Sequence, residues 1–446
     1  MAAATMTCAA AMHVSELPQT EAVFASWLSA QLACLPLILW LVQKAPNPNI
    51  KLAVIAWPLV RAALLYFGPD TEALLKIGDS MQFHEWGLFC SNHWSFGGSW
   101  VIPDQLLVAQ GMKYIGVPYS FGALYAIFGP FPTVTIPWLA ASQCLAAAIV
   151  LRLVEAIHET SYFEALYILY CPAWLFYSSA LYRDTILLVG IVLFPLAALR
   201  ITARRYASGL LAAIVASGII LAMRQQYFIV LAAFACIVLA LGAKRRFKTT
   251  VVLLVATLGV TTWVSRRQIH DGVFMETLQR NVLLPNEISL SSGTRSFVER
   301  YGQLTPAMLP IAVPLRIVTA IVSPFPWINA EPPLVEQYGT WLNVGFHFSQ
   351  AIFHIGIIVL LIVRWRRVRL ALSRERKILL IWGLLILLSG SLTWAAFNRY
   401  VVPSFVFFLP ALRVGAHTPR FKPIVLLGSV TVVALHALYY LLRFVL

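Results

Sequence analysis

Long, uniformly apolar runs alternate along this chain with short polar breaks, a pattern that fits membrane-spanning helices better than a water-soluble core. Runs with almost no charge fall at roughly 25–43, 52–68, 133–151, 161–178, 185–202, 207–223, 226–242, 248–264, 341–363, 377–396, 400–415 and 423–443. A helix over each run crosses all or most of a hydrocarbon layer of about 30 Å. Two further apolar stretches, 114–130 and 306–324, are interrupted. Gly116, Pro118 and Gly122 break the first, and Pro306, Pro310, Pro314 and Arg316 break the second. Gly and Pro weaken a continuous helix, so these two stretches predict re-entrant or interfacial helices. The expected fold is an all-α polytopic membrane protein of about twelve transmembrane helices plus re-entrant or interfacial ones. It forms a single transmembrane domain over residues 1–446, with no internal repeat and no separate aqueous domain.

Composition agrees. Of 446 residues, 60% are hydrophobic and only 11% charged, and mean hydropathy is +0.79. Soluble domains carry about 25% charged residues, which excludes a soluble enzyme. The net charge of +15 records orientation, since Lys and Arg concentrate in short cytoplasmic loops. Nucleic-acid binding would need a basic polar face, and no stretch outside the spans is long enough to build one. The N-terminus does not read as a signal peptide: no Lys or Arg precedes Lys44, and Glu16 and Glu21 come before the first apolar run. The six scattered cysteines have no zinc or redox spacing and read as small buried apolar residues.

The basic clusters set the topology. Lys44 and Lys51, Arg200 with Arg204 and Arg205, Lys244 to Lys248, Arg364 to Lys377, and Arg413 with Arg420 and Lys422 all fall in loops of one side, the inside. Residues 69–132 then become a first outer loop with interfacial helices. Residues 265–340 become a second large outer loop.

Candidate chemistry collects on the outer side. In the first loop, Asp79 precedes Phe83, His84, Glu85 and Trp86. As a plain feature, Asp79 after Gly78 caps an amphipathic interfacial helix. As a functional one, it is a carboxylate held at the membrane boundary as a general base, with His84 and Glu85 beside it. Arg183 and Asp184 sit at a span boundary, where they read either as an interfacial ion pair or as a guanidinium facing a lipid phosphate. Arg224, followed by Tyr227, and Arg399, followed by Tyr400, occupy outer turns, and Arg316 lies in the second broken stretch. Each alone reads as a snorkelling cation. As a set at outer span ends, they fit a phosphate or diphosphate site. Arg61 lies within a span and needs a partner, for which Asp70 and Glu72 are available; it reads as structural. His347 and His354, seven apart, read as core histidines.

Several segments in order carry a resemblance. They are Gly78-Asp79-Ser80 with His84; Tyr119 to Gly129; Cys171 to Ser179 with Arg183-Asp184; Arg224 before Tyr227; Ser323 to Trp327; and Asn398-Arg399-Tyr400-Val401-Val402-Pro403. Over roughly residues 75–415 the chain resembles the multi-spanning glycosyltransferases of the GT-C superfamily, particularly the membrane proteins of bacterial exopolysaccharide and O-antigen clusters. That resemblance implies a sugar donor on a polyprenyl phosphate or diphosphate and a glycan or lipid acceptor. It also implies a multi-pass protein of the bacterial inner membrane with its active site facing the periplasm. Asp79 matches the family's first-loop base, and Arg183, Arg224 and Arg399 match positions near the lipid phosphate. Asp184, Tyr227, Arg316 and Tyr400 are secondary. Many members carry paired acidic residues in the first loop, whereas Asp79 has only Glu85 nearby. No metal ligand set is identified, and a requirement for a divalent cation stays open. There is no GxxxxGK[ST] for a nucleotide cofactor and no HExxH for zinc. Two other readings stand beside this one. A polysaccharide polymerase or O-antigen ligase of another fold would work through Arg280, Arg295 and Arg300 in the 265–340 loop. A transporter of lipid-linked substrates would carry more ionisable residues in mid-span than this chain does.

Overall fold

The computed structural model describes residues 19–66, 80–102, 106, 115–159, 161–171, 174–175, 178, 181–224, 227–242, 358, 362, 365, 372–392 and 398–412. Within them every regular element is helical: α1 (Gln19–Lys44), α2 (Pro48–Tyr66), α3 (Ser80–Ser95), α4 (Gly116–Phe128), α5 (Ile136–Ala156), α6 (Phe163–Tyr170), α7 (Asp184–Thr202), α8 (Tyr206–Met223), α9 (Phe228–Gly242), α10 (Arg374–Leu392) and α11 (Asn398–Ala411). A short 3₁₀ turn, Pro132–Val134, leads into α5. Four of these segments are long and apolar enough to cross a membrane, namely Glu21–Lys44, Pro132–Ala156, Asp184–Thr202 and Tyr206–Met223. The chain therefore has the character of a helical membrane protein. The runs at 248–264 and 423–443, and the broken stretch 306–324, lie outside the described residues.

Side-chain ties sort the helix ends into two layers. α1 and α5 run parallel, joined at one end by the Ser26 hydroxyl donating to the Val134 carbonyl at 2.7 Å. At the other end Lys44 meets Glu155 at 2.7 Å. Glu159, just past α5, pairs with Arg376 in the first turn of α10. The Lys44 end thus gathers Arg152, Arg374, Arg376 and Lys377, and α7 delivers Arg200, Arg204 and Arg205 to it. The opposite end holds residues 181–184, the start of α3 and Arg224. Most of the described basic residues thus lie at the Lys44 end.

α4 does not cross. A Cβ on Gly116 would meet the Ala222 backbone at 2.9 Å, at the end of α8. At its other end Gly129 approaches Ala22 near the start of α1. Thirteen residues of helix span about 20 Å, and α4 links the end of α8 to the start of α1. α3 packs on it through glycines. A Cβ on Gly87 would lie 2.8 Å from the Tyr125 ring, and one on Gly122 would lie 2.7 Å from Cys90 Cβ. Small residues permit this close approach.

The segment after α6 continues helically, with the Leu175 and Ser178 amides donating to the Cys171 and Trp174 carbonyls. Side chains from other helices donate to the carbonyls at the end of α6. Gln143 Nε2 donates to the Ile168 and Leu169 carbonyls at 2.7 and 3.2 Å, and Trp57 Nε1 donates to Leu169 at 2.9 Å. Arg61 donates to the carbonyls of Leu175 and Ser178 at 2.9 and 2.7 Å. Its partners here are helix-terminal carbonyls, where a cation also meets the negative end of the dipole. The Asp70 and Glu72 anticipated as partners lie outside the described residues. Lower in the bundle, Trp382 of α10 is fully buried among Phe194, Phe234 and Phe407, and its indole N–H donates to the Ile191 carbonyl at 3.0 Å. One side chain so joins α7, α9, α10 and α11.

Candidate functional site

α7 and α8 form an antiparallel hairpin of matched length, so their free ends meet. Its register is fixed by two glycines. A Cβ on Gly190 would touch Ile220 and the Ala216 carbonyl, and one on Gly209 would touch Ile201 and the Ala197 carbonyl. This register sets Asp184 level with Arg224. Arg183, Asp184 and Arg224 are each about 95% buried, with relative exposures of 4%, 4% and 5%. Charges withdrawn from water at a helix end generally meet a partner or line a cavity.

The start of α3 docks on the same place. Ser80 Oγ lies 3.5 Å from the Leu181 carbonyl oxygen. The Arg183 guanidinium sits 5.4 Å from the centre of the Phe83 ring, a cation–π arrangement. Arg224 stands 6.0 Å from the buried Tyr227 ring. The first-loop helix and the two arginines therefore share one end of the molecule.

Among the first-loop residues the structure separates His84 from Glu85. His84 is half-buried and its Nδ1 lies 2.9 Å from the Tyr125 hydroxyl, with the rings edge-to-face at 5.4 Å. Burial pulls the His84 imidazole below its usual range, and the neighbouring Glu85 pulls weakly the other way. It is thus neutral near pH 7 and able to accept a proton. Burial pushes the Tyr125 phenol up, so it stays protonated. Glu85 is exposed. Tyr125 was not foreseen. It is 41 residues from His84, and the glycines that let it close in, Gly87 and Gly122, were the only sign of it in the sequence.

Asp184 departs from the ion-pair reading. It opens α7, where a carboxylate suits the helix dipole, but it has no ion-pair partner among the described residues, and its buried Oδ1 has no hydrogen bond. The same is true of the Thr185 hydroxyl, which is fully buried. The helices place Arg399 and Tyr400 in the first turn of α11; their side chains lie outside the described residues, as do Asp79, Arg316, Arg280, Arg295 and Arg300. Among the described residues no three His, Cys, Asp or Glu side chains come together in a way that could hold a metal ion.

This end can hold an anion through two guanidiniums, accept a proton at His84, and offer a carboxylate and a hydroxyl to a donor. No protein-family model, no curated protein and no solved structure matches this chain.

Proposed function

We propose that this protein is a membrane glycosyltransferase of the GT-C kind. It moves a sugar or glycan from a polyprenyl phosphate or diphosphate carrier to a glycan or lipid acceptor, in polysaccharide synthesis. On this reading about twelve helices cross the bacterial inner membrane. The basic Lys44 end faces the cytoplasm by the positive-inside rule, and the Arg183 end faces the periplasm.

The observation that carries the proposal is the meeting of two buried arginines, Arg183 and Arg224, with an interfacial helix pair that holds a neutral histidine. Guanidinium forks match phosphate oxygens. In the reaction the bond between the anomeric carbon and the phosphate oxygen breaks, and the phosphate keeps the electron pair. The two arginines, with Arg399 of the same set, offset that developing charge. The acceptor oxygen bonds to the anomeric carbon, and its proton passes to a base, Asp79 or His84. Grooves between apolar spans receive the isoprenoid.

Sugar transfer in proteoliposomes from lipid extracts of the source strain tests this reading. Wild type should transfer. Arg224→Ala should lose about ten- to a hundredfold, the worth of a charge-assisted hydrogen bond, and Asp79→Asn or His84→Gln should identify the base. No transfer by wild type would overturn the proposal. Full activity in all three variants would move the chemistry to residues 265–340.

A further inference from the structure

The geometry points to a sugar-hydroxyl subsite formed by Asp184 and Thr185 beside the two arginines. The ligand at this end is then a phosphate ester bearing hydroxyls rather than a bare phosphate or a plain phospholipid headgroup. This rests on the functional reading above and deepens it.

Helical Ser and Thr hydroxyls ordinarily donate back to a carbonyl three or four residues earlier, and several do so here, with the buried Ser217 of α8 an exception. Ser29 bonds to Ala25, Ser120 to Gly116, Ser178 to Trp174 and Thr202 to Leu199. Thr185 sits in the first turn of α7, with no helical carbonyl behind it to accept, and its fully buried hydroxyl meets nothing. The residue before it repeats the anomaly. Asp184 is 4% exposed and its Oδ1 accepts nothing. Capping does not account for the carboxylate: the N-cap of α7 is Arg183, in helical conformation and with no side-chain cap bond. Nor do the arginines neutralise it, since Asp184 has no ion pair among the described residues although Arg183 precedes it and Arg224 stands level with it.

A buried acceptor left unmade costs about 1–3 kcal/mol, and more for a charge. Two such groups, adjacent in sequence at the end that carries Arg183 and Arg224, therefore call for a ligand that supplies both a donor and an acceptor. A hydroxyl does both: it donates to the carboxylate and accepts from the threonine. A phosphate oxygen can do neither for Asp184, because two anions repel. A pyranose linked to phosphate presents both chemistries on neighbouring atoms. Asp184 and Thr185 thus act in sugar recognition, separately from the phosphate contacts of the arginines.

The test uses the full chain in nanodiscs and a panel of probes: decaprenyl phosphate alone, and decaprenyl phosphate carrying glucose, galactose, mannose or arabinose. Wild type should bind at least one glycosylated member about tenfold tighter than the bare lipid, the worth of a charged hydrogen bond. The near-isosteric pair Asp184→Asn with Thr185→Val should lose that preference and keep its affinity for bare decaprenyl phosphate. Arg224→Ala should weaken all probes alike. Equal binding of every probe by wild type, or an intact preference in the double variant, would overturn the subsite. So would a double variant that loses bare-lipid affinity. Failure of wild type to bind any polyprenyl phosphate would remove the functional reading itself, a result distinct from each of these.

Discussion

At the Lys44 end of the bundle Glu155 and Glu159 lie against Lys44, Arg152 and Arg376, and the buried Glu164 accepts from Ser161 at one oxygen and leaves the other bare; at the Arg183 end two adjacent residues, Asp184 and Thr185, each carry a buried atom that nothing meets. Both ends present charge on helix termini of similar apolar helices. At the first, Glu155 and Glu159 are paired with basic residues from other segments and hold them together, with Glu164 the exception. At the second, two buried guanidiniums, a carboxylate and a hydroxyl lie at the same end of two neighbouring helices, and Asp184 has no ion pair among the described residues. A folded chain tolerates that arrangement where a ligand completes it. The contrast teaches where to look for structure and where to look for chemistry.

The sharpest way to break the comparison is at the Lys44 end. Arg376→Ala breaks the buried pair with Glu159, so it should destabilise the protein by about 3–5 kcal/mol while leaving ligand binding at the far end intact. Thermal unfolding in detergent alongside polyprenyl phosphate binding checks both halves, and an apolar Arg376→Met with Glu159→Leu should recover most of the loss. Trp382→Ala, in the aromatic hub between the ends, should cost about 3 kcal/mol, the low end for a buried tryptophan, because lipid removes part of the transfer term. Arg183→Ala should do the opposite of Arg376→Ala, reducing affinity for polyprenyl phosphate ten- to a hundredfold or so with a smaller change in unfolding. Gly87→Leu should wedge α3 from Tyr125 at a cost of about 1–3 kcal/mol. It should also lower transfer by displacing His84, which Tyr125→Phe should do more mildly.

The smallest effect is on pH. His84 has a lowered affinity for protons in the folded state, so its contribution to stability is intact above the ordinary imidazole value of about 6.5. As the pH falls through that value the unfolded chain takes up the proton first, and stability declines until the folded imidazole also protonates. Transfer should fall on the same acidic limb. His84→Gln should flatten the stability part of that limb, and a denaturation series between about pH 5 and 7.5 reads it.

Much of the scaffold was legible because uniform apolar runs end abruptly at charges. The run 185–202 is the helix Asp184–Thr202, and 207–223 is Tyr206–Met223. In the stretch 114–130 the breaks expected at Pro118 and Gly122 do not appear: both lie inside one 13-residue helix, where Gly122 lets Cys90 approach. The partners of Arg61 were not legible, because helix-terminal backbone carbonyls have no sequence signature; the acidic residues nearby looked like better partners. The placing of Arg183 and Arg224 at one level depends on the α7–α8 register, which is set by where Gly190 and Gly209 sit, and charge spacing alone does not reveal it. The His84–Tyr125 contact and the orphan atoms of Asp184 and Thr185 are tertiary facts of the same sort.

The most direct test of the central claim is to map where a polyprenyl phosphate rests. A decaprenyl phosphate bearing a diazirine near the phosphate, irradiated with the full chain in nanodiscs and followed by peptide mass spectrometry, reports that location. The account predicts adducts on residues 80–87, 181–187 and 222–228, suppressed by unlabelled lipid and by Arg224→Ala. Adducts confined to residues 265–340, or to the Lys44 end, would contradict it.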